Sequence, residues 1–165
     1  MSKLSENGKD QVVKMVVKGQ LIGQRSLVSD ESSNLQATAL NDMEVCFIPK
    51  SEIIADLERN PKFTLDMLKD MAHDLREADD VIVDMAQKSV KQRLAETLIY
   101  VEKNFGTNPD GTISLVLSRE DYANIVGTAT ESAIRVLSQF KKEGIISTVG
   151  KQIKIEDVSA LRLSL

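Results

Sequence analysis

The chain contains no tryptophan, one cysteine and one histidine among its 165 residues. The single thiol, Cys46, excludes an internal disulfide and cannot by itself hold zinc or an iron–sulfur cluster. No apolar run approaches the roughly 18 residues that a membrane-spanning helix needs. The polar start MSKLSENGKD lacks the apolar segment of a signal peptide. These absences predict a cytoplasmic protein with no membrane partner.

Basic residues are fewer than acidic ones: the chain has 21 lysines and arginines and 25 aspartates and glutamates, which gives a net charge of −4. The deficit is uneven: residues 1–117 carry 14 basic and 19 acidic side chains, whereas residues 118–165 carry 7 and 6. Binding to nucleic acid needs only a local basic face, so the net charge does not exclude it. It does predict weak non-specific binding.

Apolar, β-rich segments occur in the first 48 residues. QVVKMVV, LQATAL and EVCFI (residues 11–17, 35–40 and 44–48) predict strands, separated by a Lys-Gly pair and by the polar stretch SDESSN. After Pro49, residues 51–59 predict a short helix with one apolar face.

A long helix is predicted from Pro61 to Gln87, with Asn60 as its cap. Apolar or small side chains recur along it at spacings of three and four, the heptad pattern of a coiled coil: Leu68, Met71, Leu75, Ala78, Ile82 and Met85. The helix could pack on the core of its own domain or join two copies of the chain. Three heptads without glycine or proline favour a dimer interface, because few domains of this size need so long a helix.

The last part of the chain has a recognisable order of elements. A helix is predicted over residues 89–105, a short strand over 112–117, two helices within 118–143, and two strands around the Gly150-Lys151 turn, with a short tail. Helix, strand, helix, helix and hairpin form the layout of a winged helix-turn-helix. The predicted fold class is therefore α+β.

The stretch REDYANIVGTATESAIRVL (residues 119–137) contains the turn between the two helices. Ser118 and Asp121 match a capping box, and Gly127 occupies a turn position that favours positive φ. Thr128 and Glu131 match a second capping box, which predicts that the next helix begins at Thr128. Its core-facing positions recur at helical spacing: Ala133, Val136, Leu137 and Phe140.

The outward positions of this second helix carry hydroxyl, carboxylate, guanidinium and amide groups. Arginine can bridge O6 and N7 of guanine, a carboxylate can accept from cytosine N4, and hydroxyls can bind bases or phosphates. The alternative is that Thr128 and Glu131 only cap the helix and Arg135 is only a solvated charge. The caps, the two apolar faces and the following hairpin together favour a surface that reads DNA.

LSREDYANIVGTATESAIRVLSQFKKEGII, followed by VGKQIKI, resembles the DNA-binding domain of the Crp/Fnr superfamily of bacterial transcription regulators. GQLIGQRSL and TALNDMEVCFIPKSEI resemble the end of that family's cyclic-nucleotide-binding β-roll, and MAHDLREADDVIVDMAQKSVKQRLAETL resembles its dimerisation helix and hinge. Members from Bacteroidetes are the most similar. The resemblance implies a partial sensor domain over residues 1–60, a dimerisation helix over 61–88 and a winged helix-turn-helix over 89–165.

The resemblance also implies roles for individual residues. Glu131 and Arg135 match the family's base-reading pair, and Ser132 lies between them. Thr130 replaces a second base-contacting arginine of some members, so the operator should differ there. Positions expected to contact phosphate are Ser118, Arg119, Thr128 and, at the wing tip, Lys151. The implied partners are double-stranded DNA, a second copy of the chain and RNA polymerase.

The sensor region departs from the family pattern. Nucleotide-binding members have Gly-Glu-Leu and a later Arg-Ser or Arg-Thr pair that binds the cyclic phosphate. Here the first motif is Gly19, Gln20 and Leu21, and Ser33-Asn34 occupies the place of the pair. Loss of the arginine removes a bidentate phosphate ligand, so we expect no cofactor and no tight binding of cyclic nucleotides.

Three further features of the sequence concern the sensor and the helix that follows it. Arg25-Ser26 falls too early and is expected on a short helix, and His73 is expected at the surface rather than in a metal site. The family's sensor is also longer than the 60 residues that precede the long helix here. The sequence is therefore either a fragment or a naturally short protein, and residues 1–48 are expected to be poorly packed because strand edges would be exposed.

The sequence predicts a dimeric, sequence-specific DNA-binding transcription regulator, with residues 128–143 as the helix that enters the major groove of a palindromic operator. The alternative is an effector-sensing or protein-interaction module whose winged helix binds a protein. An enzyme is not expected, because no histidine lies near a candidate nucleophile and there is no phosphate-binding loop or group of metal ligands.

Overall fold

A computed structural model describes residues 1–6 and 8–164. Positions 7 and 165, which belong to the predicted sensor and DNA-binding domains, lie outside the described residues. The elements are β1 (Ser2–Leu4), β2 (Asp10–Val12), α1 (Gln24–Ser29), α2 (Lys50–Arg59), α3 (Pro61–Gln87), α4 (Val90–Phe105), α5 (Arg119–Val126), α6 (Thr130–Lys142), β3 (Ile146–Val149), β4 (Gln152–Ile155) and α7 (Val158–Arg162). None of the described helices is long and apolar enough to cross a membrane.

The N-terminal region contains less sheet than the sequence predicts. β1 and β2 pair antiparallel, with Lys3 opposite Gln11. The predicted strand over 11–17 shortens to the three residues of β2, and β1 was not predicted. The predicted strands over 35–40 and 44–48 are wrong: among the described residues this region makes one isolated bridge, between Ser2 and Gln36. Beyond this bridge to β1, neither segment pairs with a described strand, and most of their large apolar side chains stay exposed, with Phe47 88% exposed.

The helices of this half agree with the sequence. α1 contains Arg25 and Ser26, as expected. α2 starts one residue earlier than predicted, directly after Pro49. α3 has the predicted bounds, because the Asn60 side chain accepts a hydrogen bond from the backbone N–H of Phe63 at 3.2 Å and Pro61 occupies the first turn.

The hydrophobic core lies in the C-terminal half. α4 begins with a complete capping box, in which Ser89 and Gln92 each accept from the other's backbone N–H. One face of α4 packs against α5, α6, α7 and the β3–β4 hairpin. The largest fully buried side chains of the described chain belong to this region: Tyr122, Phe140, Leu94, Leu98, Ile113, Leu117, Ile146, Ile153, Leu161, Val101 and Val126.

The predicted strand over residues 112–117 is wrong as a regular element. Ile113, Leu115 and Leu117 are buried in alternation, as in a strand. However, its backbone pairing with described strand-like segments is limited to an isolated bridge to Thr107 and one bond to β4, from the Ile113 N–H to the carbonyl of Ile153 at 2.8 Å. It therefore contributes apolar side chains to the core without extending the sheet.

The chain ends in a hairpin and a helix. β3 and β4 pair antiparallel, with Val149 opposite Gln152, so Gly150 and Lys151 form the predicted two-residue turn. Gly150 has φ +60°, which glycine adopts without strain. The predicted tail contains α7, capped by the Asp157 side chain, and Leu161 of this helix is fully buried against the core.

Candidate nucleic-acid interface

The first helix of the motif, α5, has a well-formed start. The Ser118 hydroxyl accepts from the Asp121 N–H at 3.0 Å, and Asp121 accepts from the Ser118 N–H at 2.7 Å. Tyr122, Ala123 and Val126 are buried, and burial raises the pKa of Tyr122 to about 12. The predicted capping box is confirmed. Of the buried face predicted from the sequence, Tyr122, Ile125 and Val126, the structure buries Tyr122 and Val126 and leaves Ile125 half-buried.

The turn after α5 depends on Gly127. This residue has φ +65° and ends the helix in the left-handed conformation, as predicted. A Cβ at this position would lie 2.8 Å from the sulfur of Met85 in α3. The turn is therefore packed directly against the end of α3.

The second helix, α6, begins two residues later than predicted. Ala129 is the N-cap and makes no side-chain cap bond, so the predicted capping box between Thr128 and Glu131 is wrong. The Thr128 N–H instead donates to the Ala123 carbonyl at 3.0 Å, which continues the turn. The recognition helix runs over Thr130–Lys142 rather than 128–143, and Glu131 lies in its first turn, where the helix dipole favours a carboxylate.

The two faces of α6 separate as the sequence predicts. Ala133, Val136, Leu137 and Phe140 are buried. Glu131 and Arg135 are exposed, Thr130 and Ser132 are half-buried, and within the described chain the side chains of Glu131 and Arg135 make no hydrogen bond or ion pair. Both charged groups are thus available to a ligand without breaking an internal bond.

The wing lies beside the start of α5. Nη2 of Arg119 donates to the carbonyl of Gly150 at 3.5 Å, while Nη1 is buried without a partner. Lys151, at the tip, is exposed and makes no bond to any described residue. Arg119 and Lys151 therefore contribute positive charge at the edge of the surface that α6 presents.

The predicted dimer seam on α3 divides into two rows. Leu68, Leu75 and Ile82 are 55%, 65% and 67% exposed, so no described part of the chain covers them. Met71 and Met85 are half-buried, and Ala78 and Met85 line a cavity of about 340 Å³ between α3, α4 and residues 12–20. The outward side of α3 carries a second row at heptad spacing, in which Asp79 interrupts four apolar residues and two alanines: Leu65, Leu68, Ala72, Leu75, Ile82 and Ala86.

Arg93 joins three elements, and sequence reasoning missed it. Its Nε donates to the Val126 carbonyl at the end of α5 at 2.8 Å, and its Nη1 donates to the carbonyls of Met85, at 3.5 Å, and Lys88. No motif marks an arginine that binds backbone carbonyls. The one signal in the sequence is the position of Arg93 in the first turn of α4, directly after the connection between α3 and α4.

In the sensor region, the residues that depart from the nucleotide-binding pattern make two separate local contacts. The Gln20 side chain accepts from the Val17 N–H at 3.0 Å, and Arg25 donates to the Asn34 side chain. His73 pairs with Glu77 at 3.4 Å on the exposed side of α3, and the neighbouring Asp74 binds Lys14 and Gln24.

Two family profiles match the chain. The profile described as "Cyclic nucleotide-binding domain" matches residues 1–60, and the one described as "Crp-like helix-turn-helix domain" matches residues 92–163. The "Anaerobic regulatory protein" of Bacillus subtilis is 32% identical over 150 residues, covering 89% of this chain and 63% of that protein. The "Fumarate and nitrate reduction regulatory protein" of Escherichia coli is 29% identical over 162 residues, covering 96% and 64%.

Solved structures support the same fold. FixK2 from Bradyrhizobium japonicum has a TM-score of 0.75 over 98% of this chain and 80% of that chain, at 19% identity. A CooA variant from Carboxydothermus hydrogenoformans has a TM-score of 0.59 at 28% identity, over 70% of this chain and 54% of that chain.

The chain spans less than two thirds of the length of the two curated relatives named above. The particular likeness to members from Bacteroidetes stays a prediction. The order of the two matched domains and the identity to the curated regulators lead to one conclusion: the chain belongs to the Crp/Fnr family of transcription regulators.

Proposed function

We propose that this chain binds double-stranded DNA in a sequence-specific manner, as a homodimer, and regulates transcription. The observation that carries the proposal is the outward face of α6, where the exposed side chains of Glu131 and Arg135 have no partner among the described residues. On an isolated surface helix, two exposed charged residues would be weak evidence for DNA binding. Here the helix follows a capped partner helix and a left-handed glycine turn and precedes a basic wing, which is the arrangement that presents side chains to base edges.

Each candidate residue takes a separate role in this proposal. Arg135 and Glu131 read bases, while Thr130 and Ser132 lie on the same face and add shorter contacts. Arg119, Ser118 and Lys151 contact phosphates, which fix orientation rather than sequence. Thr128, in the turn before α6, donates its hydroxyl to a phosphate in this proposal. The Ser118 hydroxyl already accepts from Asp121 and still has its own proton to donate.

The proposed dimer forms through α3. Within the described chain nothing covers the exposed row of leucines and isoleucine on this helix, and exposed apolar side chains that recur at heptad spacing are typical of a coiled coil. A two-fold axis along α3 would place two α6 helices about one turn of DNA apart, about 34–36 Å, on a palindromic site.

Selection of bound sequences from a random pool of double-stranded DNA, with the full chain, tests the function. We expect an enriched palindrome whose affinity falls with salt, and Lys151→Ala should reduce the salt slope by about 1. Lys103→Ala, an exposed lysine at the far end of α4, is the matched control and should leave the slope unchanged. No enrichment by a folded chain would reject DNA binding in favour of a winged helix that binds a protein.

We also propose that the sensor region binds cyclic nucleotides weakly or not at all, although its sequence matches the profile of cyclic nucleotide-binding domains. Gln20 replaces the ribose-binding glutamate and is already bonded to Val17, and Arg25 is bonded to Asn34. Isothermal titration of the full chain with cAMP and cGMP should give no heat of binding at micromolar protein. Micromolar affinity for either nucleotide would contradict the proposal.

The setting of this activity is proposed to be the cytoplasm, where DNA and RNA polymerase are accessible. The "Transcriptional activator protein anr" of Pseudomonas aeruginosa, 25% identical over 156 residues, is by its name an activator. We propose that RNA polymerase is a partner of this chain too, and that its function involves no catalysis. A transcription assay on the selected operator, with and without the protein, tests the polymerase contact.

A further inference from the structure

We propose that Arg93 is a positioning residue that fixes α6 relative to α3 and thereby sets the spacing of the two DNA half-sites that the dimer accepts. This inference rests on the proposed function. Arg93 touches no candidate DNA-contacting side chain, so it would act through the helices that it joins.

The connection between α3 and α4 is short and would be loose on its own. α3 ends at Gln87 and α4 begins at Val90, so only Lys88 and Ser89 lie between them, both with extended backbone. Two consecutive extended residues allow rotation about several single bonds. Something beyond the backbone must therefore hold the DNA-binding half at one angle to α3.

Arg93 closes this joint with a single rigid group. Its Nη1 reaches the Met85 and Lys88 carbonyls on the α3 side, while its Nε reaches the Val126 carbonyl on the α5 side. The last carbonyls of a helix have no partner within the helix, so they are free to accept. Because the guanidinium is planar and keeps its charge, it holds all three carbonyls in one fixed arrangement.

The α5 end of this bridge is directly connected to α6. Val126 immediately precedes Gly127, whose turn leads into the recognition helix and packs against Met85. Gln11 adds a weaker bond to the neighbouring Ile125 carbonyl at 3.4 Å. A change in the angle at Arg93 would therefore displace α6 as a whole.

Half-site spacing is the property that such a joint controls. One added base pair moves a half-site by about 3.4 Å and rotates it by roughly 35°, since a turn holds about 10 base pairs. Two α6 helices held rigidly by α3 cannot follow that displacement, whereas loosely held ones can. Loss of Arg93 should therefore relax the choice of spacing while the base preference within each half-site is retained.

The first measurement does not involve DNA. Nitroxide labels at Arg76→Cys on α3 and Ser138→Cys on α6, in a Cys46→Ser background and diluted with unlabelled chain, report the α3–α6 distance within one protomer. We expect a single narrow distribution for the parent. Arg93→Gln should broaden or shift it, and Arg93→Lys should do so too, because an ammonium keeps the charge but cannot span both sides. Lys103→Gln, on the same helix, should not change it.

The second measurement uses the selected palindrome with its centre lengthened or shortened by one and two base pairs. The parent should lose about tenfold in affinity per step, the order expected when charge-assisted contacts are broken. For Arg93→Gln the loss should fall to under about threefold, with unchanged preference within the half-site.

The outcomes separate the two proposals. If Arg93→Gln lowers only the melting temperature, and both the distance distribution and the spacing preference stay as in the parent, Arg93 is merely structural and the inference is overturned. A broadened distribution with an unchanged spacing preference overturns it as well. If the parent selects no DNA, the proposed function fails, and the distance distributions still decide whether Arg93 fixes α6 to α3.

Discussion

The α-carbon of Gly127 faces the sulfur of Met85 so closely that a Cβ on the glycine would lie 2.8 Å from it. The turn of the helix-turn-helix is thus packed on the last turns of the helix proposed to form the dimer. Two features therefore favour glycine at this position: the left-handed φ of +65° and the lack of space for a side chain beside Met85.

Gly127→Ala should lower the free energy of unfolding by about 2–3 kcal/mol, from the left-handed backbone and the crowding of Met85 together. Chemical denaturation measures it. Gly144→Ala is the matched control, because Gly144 has φ +73° and no atom within 4 Å of the added Cβ. It should cost about 1 kcal/mol. Equal effects of the two substitutions would show that the packing on Met85 is unimportant.

Ser118→Ala should destabilise the chain by about 1 kcal/mol, because it removes the side chain that caps α5. Thr128→Ala should change the stability by less than about 0.5 kcal/mol, since Thr128 caps no helix in the structure. Thermal and urea unfolding of the two variants measure both changes in stability. An equally large loss at Thr128 would restore the capping box that the sequence suggests.

Leu75→Glu should convert the dimer to monomer, or raise its dissociation constant at least about tenfold, because a charge would enter the apolar seam. Sedimentation velocity measures the change. Arg76→Glu, the neighbouring exposed position off the seam, is the control and should have little effect.

The register of the seam can be tested on the same helix. Ala72 belongs to the outward row, whereas Ala78 lines the cavity beside α4. Ala72→Glu should therefore weaken the dimer by about tenfold or more. Ala78→Glu should weaken it less. The reverse order would favour the seam predicted from the sequence.

Asp110, in the turn before residues 112–117, should titrate below its ordinary pKa of 3.8. The main cause is the hydrogen bond from the Thr112 hydroxyl, followed by the bond from the Thr112 N–H at 2.9 Å. Because the folded state lowers this pKa, the stabilisation is fully present above pH 3.8 and is lost as the pH falls through the lower, folded value. Carboxyl-detected NMR titration should show the lowered pKa, and Thr112→Val should raise it towards 3.8. An unchanged pKa in that variant would contradict the assignment.

The starts of two helices could be predicted from the sequence, because capping residues next to each start determine them. Asn60 and Pro61 defined the start of α3, and Ser118 with Asp121 defined the start of α5. α6 was misplaced by two residues because Thr128 and Glu131 have the spacing of a capping box, while the turn after Gly127 needs both Thr128 and Ala129. No local pattern reports how a turn is closed by a bond such as that from Thr128 to Ala123.

Long-range pairing was harder to predict. Residues 35–48 have the composition of strands, but a strand requires a neighbour, and the described chain offers one bridge. Arg93 was missed for a related reason, since its partners are backbone carbonyls up to 33 residues away, which carry no residue identity. The outward face of α6 could be predicted because helical periodicity separates its buried and exposed sides, whereas the base-reading roles of Glu131 and Arg135 came from the resemblance to the Crp/Fnr family.

The most direct test of sequence-specific reading by α6 is a binding scan of the selected operator, with each base pair substituted singly, using the parent chain and Arg135→Ala. The proposal predicts that the parent loses about 1–3 kcal/mol at one base pair of each half-site and that Arg135→Ala no longer discriminates there while other positions keep their effects. If Arg135→Ala leaves the whole profile unchanged, or weakens every sequence alike, α6 does not read bases through Arg135 and the central claim fails.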